Sequence, residues 1–185
     1  MTFDFGNSYW KTPTIRLRAI EPADWEMYFS FNQDDDMARR LDEIALPRSQ
    51  EAVKRWAEKE ATKKPEDDNF RFVIERQDGV AIGDITTHHC NRRIGTFSYG
   101  VAVHRDHRGK RFATDALTLV LRYYFQELRY QKATVEIYSF NEESIHLHEK
   151  LKFQREGHIR RMGYTDGKFF DHLIYGLTAE EFLAG

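Results

Sequence analysis

Residues 99–117, YGVAVHRDHRGKRFATDAL, change character twice. Tyr99, Val101 and Val103 alternate with the small residues Gly100 and Ala102, a period of two that predicts a strand. His104, Arg105, Asp106, His107, Arg108, Gly109, Lys110 and Arg111 then form a cationic turn. Phe112, Ala113, Ala116, Leu117, Val120, Leu121 and Tyr124 follow at helical spacing. The N-terminus of such a helix carries free backbone N–H groups and a partial positive charge, so it suits a phosphate. Arg108, Lys110 and Arg111 add full charges there, and Gly109 removes a Cβ where a ligand must approach the backbone closely.

Upstream, the segments that feed this unit read as strands. Ile15, Leu17 and Ala19 alternate, as do Phe70, Phe72 and Ile74. Gln77-Asp78-Gly79 signals a hairpin into a strand over 80–87, with Gly83 read as a bulge or a close approach. Asn91-Arg92-Arg93 turns the chain into the strand over 95–103. Glu21-Pro22-Ala23-Asp24 opens a helix whose apolar face is Trp25, Tyr28, Phe29 and Phe31. Residues 32–47, with Asp34, Asp35, Asp36, Asp42 and Glu43, read as an irregular connector or broken helix. Ser49 is the expected N-cap of a helix over 50–63, with Ala52, Val53, Trp56 and Ala57 on its buried stripe. Phe3, Phe5, Tyr9 and Trp10 are expected across the core edge.

Downstream, 133–138 is β-branched and predicts a strand parallel to 99–103, because a helix connects them. Asn141 and Ser144 offer capping chemistry ahead of Ile145, Leu147, His148 and Leu151 at helical spacing. Residues 153–162 and 168–177 pair as a closing hairpin across 163–167, and 178–183 forms a short terminal helix.

With 185 residues, of which 41% are hydrophobic and 14% aromatic, the chain supports one well-buried core, and 1–185 is expected to be a single domain. A formal charge of -2 gives no global field for nucleic acid or an anionic membrane. The first residues lack a basic and then apolar leader pattern, and no stretch has the length of a membrane span, so a cytoplasmic protein is the simplest reading. Cys90 is the only cysteine, which leaves no internal disulfide and no thiol pair for zinc. His88, His89 and Cys90 are consecutive strand residues that alternate in direction, and His146 and His148 do not share a helix face, so no metal is expected. No Gly-x-x-x-x-Gly-Lys-Ser/Thr loop occurs, which argues against a nucleotide-binding module.

Arg108-Gly109-Lys110-Arg111-Phe112-Ala113 resembles the acetyl-CoA signature of the GNAT N-acetyltransferase family, Gln/Arg-x-x-Gly-x-Gly/Ala, with Arg111 in place of the motif glycine. Arg16-Leu17-Arg18-Ala19-Ile20-Glu21-Pro22-Ala23-Asp24 is similar to a common opening of that family. The stretch from Asn141 to Phe153 resembles its second motif, Asn-x-x-Ser-x-x-Leu-Tyr-Glu-Lys-Leu-Gly-Phe, with His148 at the tyrosine and Lys152 at the glycine. Together the resemblances reach over 15–177.

The resemblance implies an α/β fold of the α+β kind: a mixed, mostly antiparallel central sheet with a splayed parallel pair and helices on both faces. Acetyl-CoA would pair its pantetheine with the backbone near Val101 and Val103. Its pyrophosphate would rest on Arg108, Gly109, Lys110, Arg111, Phe112 and Ala113, with Asn141 and Ser144 as further cofactor contacts. His148 either protonates the leaving thiolate or touches the cofactor without transferring a proton. The glutamate that relatives carry near Thr96 is missing, and Glu21, Asp84 and Glu136 are the nearby carboxylates. The implied reaction moves acetyl from acetyl-CoA to a primary amine of a small molecule or a peptide N-terminus, without metal, nucleic acid or membrane. The wording is closest to the branch holding ribosomal-protein alanine and spermidine acetyltransferases. The acidic residues 34–43 either attract a cationic amine or form a solvated loop. A homodimer through the sheet edge or closing hairpin is compatible with the family, and the alternative function is a non-catalytic acyl-CoA-binding domain.

Overall fold

Burial alternates along β1 (Ile15–Arg18), where Ile15 and Leu17 face inward while Arg16 and Arg18 reach the buried carboxylate of Glu75 on the neighbouring strand. This period of two, set by residue type, builds the sheet throughout. The computed structural model describes residues 8–41, 44–65 and 67–184. Phe3, Phe5, Asp42 and Glu43 lie outside the described residues.

After β1 come a single 3-10 turn with Pro22 at its start, α1 (Trp25–Phe31), α2 (Asp35–Leu41) and α3 (Gln50–Ala61). Strands β2 (Arg71–Arg76), β3 (Ala81–Asn91) and β4 (Thr96–Val103) follow, then α4 (Phe112–Arg122) and β5 (Lys132–Tyr138). Helix α5 (Glu142–Lys150), the hairpin β6 (Gln154–Thr165) and β7 (Lys168–Thr178), and α6 (Ala179–Ala184) complete the chain. The strands are hydrogen-bonded in the order β1-β2-β3-β4-β5-β7-β6. As the helical connection predicts, β4 and β5 are parallel, and their register is Thr96↔Lys132, Phe97↔Ala133 and Ser98↔Thr134.

The chain divides into two compact units that share β3, β4 and α4: residues up to 87 with 100–120, and residues 88–99 with 121–184. In the first unit, Ile20, Met27, Tyr28, Val53 and Val73 form a core against which Trp25, Phe29, Phe31 and Trp56 pack. Ser49 caps α3 by accepting from the Ala52 N–H at 3.1 Å, as its position predicts. Gly83 satisfies both readings made of it. A Cβ there would stand 2.2 Å from the Ala102 carbonyl oxygen, and the register beside it slips by one residue between Ile74 and Glu75. In the second unit, Phe97 stacks on Tyr124 at 4.4 Å and meets Phe125 and Tyr130 edge-on. Burying rings of this size contributes about 1.5–3 kcal/mol each.

Within 32–47 the broken-helix alternative holds: Asp34 accepts from the Met37 N–H at 3.0 Å and starts α2. Helix α4 continues as a π-turn over Tyr123–Glu127. One expectation is corrected. The closing hairpin turns on Asp166 and Gly167 alone, both with positive φ (50° and 73°), so 163–165 belong to β6.

Candidate active site

In the first unit β4 runs into a 3-10 turn, Arg105–His107, and then into α4. Gly109 and Arg111 have φ of 73° and 66°, whereas Lys110 between them does not take a positive φ. A Cβ on Gly109 would meet nothing within 4 Å, so the backbone here is open to a ligand, directly before the first turn of α4, whose free N–H groups favour an anion. Gly109, Lys110 and Arg111 are exposed. The backbone therefore fits a pyrophosphate. Arg111 keeps the left-handed conformation of the glycine it replaces, at a steric cost of about 1 kcal/mol.

The side chain of Arg108 is engaged within the protein. Its Nε donates to the Val103 carbonyl at 3.1 Å, and its Nη1 donates to Asp36 at 3.3 Å. Asp34, only 3% exposed, also pairs with Arg105 Nε at 3.0 Å. Burial alone would raise the Asp36 carboxyl, but Arg40 and Arg108 outweigh it and hold the group below the usual carboxylate range. Asp34 and Asp36 thus tie the phosphate-type turn to the start of α2, while Asp35 stays exposed. Lys110 folds back to donate to the Asp106 carbonyl at 3.2 Å. Val103 keeps its place at the end of β4, although its carbonyl is taken by Arg108, and Val101 is half-buried.

The second unit carries Asn141, Ser144 and His148. The Asn141 side chain accepts from the Ser144 N–H at 3.3 Å, capping α5. His148 is 1% exposed; its Nδ1 donates to the Ser144 carbonyl at 2.6 Å, which leaves Nε2 as an acceptor. Burial pulls its pKa down to about 4, with the Ser144 carbonyl offsetting part of the shift. At neutral pH the ring is uncharged and its one proton is committed to Ser144. It stacks on Tyr99 at 5.9 Å and meets Phe153 edge-on at 5.1 Å. Among the described residues, neither His148 Nε2 nor the Tyr99 hydroxyl has a hydrogen-bond partner.

Helix α5 ends in a Schellman arrangement: Lys152 N–H donates to Glu149 at 3.0 Å and Phe153 N–H to His148 at 3.0 Å. Lys152 occupies the left-handed position with φ 69°. Both departures from the motif glycines, Arg111 and Lys152, therefore preserve a glycine-like backbone.

The nearby carboxylates differ in kind. Asp84 is not a surface group: it is buried, ion-paired with Arg71, and pushed up by desolvation. Glu21 takes part in a capping box with Asp24. Glu136 is exposed and accepts from His172 Nδ1 at 3.1 Å. Sequence reasoning passed over His172, because only the β5–β7 register, Tyr138↔His172, brings it near Glu136. It also kept His88 and His89 apart; the left-handed φ of His89 (52°) breaks the alternation and brings their Nδ1 atoms to 3.2 Å. No group of three or more metal-ligating side chains occurs among the described residues. None of the described helices is long and apolar enough to cross a membrane.

The family model of the acetyltransferase (GNAT) domain matches residues 14–154. The SPbeta prophage-derived uncharacterized N-acetyltransferase YokL of Bacillus subtilis (strain 168) is 41% identical over 175 residues, which are 95% of this chain and 96% of that protein. The spermidine N(1)-acetyltransferase of Vibrio cholerae is 27% identical over 101 residues, 55% of this chain and 58% of that protein. Among solved structures, spermidine N-acetyltransferase from Vibrio cholerae in complex with CoA and spermine superposes with a TM-score of 0.80 at 21% identity, covering 93% of this chain and 99% of that chain.

Proposed function

This chain belongs to the GNAT acetyltransferase family and is an acetyl-CoA-dependent N-acetyltransferase; from that premise we propose that its acceptor is a small primary amine of the polyamine class. Bound acetyl-CoA supplies an activated acetyl thioester. The observation that carries the cofactor assignment is the open backbone of Gly109, Lys110 and Arg111 directly before the first turn of α4, which fits the pyrophosphate. In this reading Phe112 and Ala113 add the free N–H groups of the first helical turn, and Arg108 holds the turn in shape through Asp34 and Asp36. The backbone of Val101 and Val103 lies on β4 beyond Ser98, the last residue registered with β5, and is assigned to the pantetheine. Asn141 and Ser144 shape the start of α5. The enzyme acts chiefly by positioning.

The amine class is supported by the spermidine acetyltransferases among the relatives. Self-association is part of the same reading, supported by Ile159, Met162, Tyr164 and Phe169, exposed on the β6–β7 hairpin, and sedimentation velocity tests it. So is action in the cytoplasm, where acetyl-CoA is available. Thiol release from acetyl-CoA, measured against spermidine, spermine, aminoglycosides, amino acids and peptides with free N-termini, tests the acceptor. Turnover on the polyamines is expected; turnover confined to peptide N-termini would replace the polyamine class, and binding of acetyl-CoA without turnover would favour the non-catalytic alternative.

A further inference from the structure

Helix α2 has little of its own to hold it. It is seven residues long, Met37 is its buried residue and Leu41 is 46% exposed. A helix of this length is marginal in water unless its ends are capped or its face is packed. Its start is gripped by the turn that precedes α4, which lies in the same unit. We propose that Asp34 and Asp36 couple the acetyl-CoA turn to α2, so that filling the turn with pyrophosphate steadies the helix. This rests on the placement of the pyrophosphate at that turn proposed above.

The joint is made at three places. The Asp34 carboxylate divides its oxygens: Oδ1 accepts from the Met37 N–H at 3.0 Å, whereas Oδ2 stands 3.0 Å from Arg105 Nε and 3.7 Å from Arg108 Nη2. The Asp34 backbone carbonyl also accepts from the Ala38 N–H at 2.9 Å, the first bond of the helical ladder. One buried residue therefore holds the helix start and the turn together. Asp36, in the first turn of α2, accepts from Arg108 Nη1 at 3.3 Å, and Arg108 Nε donates to the Val103 carbonyl at 3.1 Å. That guanidinium is thus shared between the end of β4 and the helix. At the end of α1, Phe31 stacks on His104 with ring centroids 6.2 Å apart and planes at 23°.

Occupancy of the turn reaches α2 through this joint. Gly109, Lys110 and Arg111 are exposed, and a Cβ on Gly109 would meet nothing within 4 Å, so little protein packs over this backbone. Segments with few buried contacts open at small cost. A pyrophosphate on the N–H groups there fixes the backbone that follows Arg108, and with it the direction in which Arg108 and Arg105 present their cations. The ordering entropy of the joint is then lost on binding, so α2 is held more firmly once the ligand is in place. Repulsion between the phosphate and the two aspartates opposes this, but it acts through water at the exposed loop, where it is weak. The Asp34 side chain, 3% exposed, meets Arg105 at contact distance. The coupling is reciprocal: what steadies α2 tightens acetyl-CoA by the same factor.

The test is hydrogen exchange at the amides of residues 37–41 without ligand, with saturating acetyl-CoA, and with saturating S-acetyl-pantetheine, which lacks the pyrophosphate. Acetyl-CoA is expected to slow exchange by about 5-fold or more, and S-acetyl-pantetheine to leave it near the unliganded rate. The Asp36 side chain is 61% exposed, so Asp36→Asn leaves the core undisturbed. In that variant the slowing should shrink, and acetyl-CoA affinity, read by calorimetry, should fall by the same factor. Arg40→Gln removes the partner of Asp36 within α2 and leaves the joint to the turn intact. There exchange should be faster throughout, yet acetyl-CoA should still slow it, which separates coupling from a plain loss of helix stability. No slowing by acetyl-CoA, equal slowing by both donors, slowing undiminished in Asp36→Asn, or slowing lost equally in Arg40→Gln would overturn the coupling. Acetyl-CoA binding no tighter than S-acetyl-pantetheine would overturn the pyrophosphate placement instead.

Discussion

Arg108 Nη2 stands 3.7 Å from Oδ2 of Asp34, a carboxylate that also caps α2. The cationic residue of the acetyl-CoA signature thus straps its turn to the start of α2.

Replacing Asp34 removes both the cap and the buried partner of Arg105 and Arg108. Asp34→Ala is expected to destabilise by about 2 kcal/mol, lowering Tm by about 4–8 °C for a chain of this size. Acetyl-CoA affinity should fall several-fold. Asp34→Asn retains the capping oxygen and should recover part of the stability but less of the affinity. Thermal melts and calorimetry on both variants check this.

His148 gives stability a pH dependence of known sign. Its folded pKa is about 4, and an unfolded histidine titrates near 6.5. Between these values the unfolded chain binds the extra proton, so stability rises with pH through that window and is fully present above it. The shift corresponds to about 3 kcal/mol. In His148→Phe the Tm difference between pH 4.5 and pH 7 is expected to shrink relative to the unaltered protein; an unchanged difference would show that other groups govern it.

Arg111 and Lys152 hold left-handed backbone that glycine takes without a Cβ clash. Arg111→Gly and Lys152→Gly are each expected to stabilise by about 0.5 kcal/mol at most, what remains of about 1 kcal/mol of relieved strain once the entropy glycine loses on folding is subtracted. That is a Tm gain of about 1–2 °C each. A fall in Tm would show that the side chains make contacts worth more than the strain.

Much of this could be read from residue order. The change from a period of two to helical spacing at Arg108 located β4, the turn and α4, because periodicity reports which face is buried. Ser49 and Asn141 marked helix starts through side-chain oxygens that need only local chain. Helix α2 stayed undecided between a connector and a broken helix: Met37 is its buried apolar residue, Leu41 is half exposed, and its cap is an aspartate amid other acids. The contact of His88 with His89 depends on one left-handed residue that no pattern announces. The pairing of Glu136 with His172 depends on register between strands far apart in sequence. The ion pairs that tie Arg108 to Asp34 and Asp36, and the atoms of Tyr99, His148 and His172 left without a partner among the described residues, are properties of packing that residue order does not announce.

The central claim is that the backbone of Gly109, Lys110 and Arg111 holds the pyrophosphate of acetyl-CoA. Calorimetric titration with acetyl-CoA and with S-acetyl-pantetheine, on the unaltered protein and on Gly109→Val, tests it most directly. Valine is strained at the φ of 73° that Gly109 adopts. The account predicts that acetyl-CoA binds the unaltered protein far more tightly than S-acetyl-pantetheine, and that Gly109→Val removes most of that difference. Equal affinity for the two donors, or a difference that survives in Gly109→Val, would contradict it.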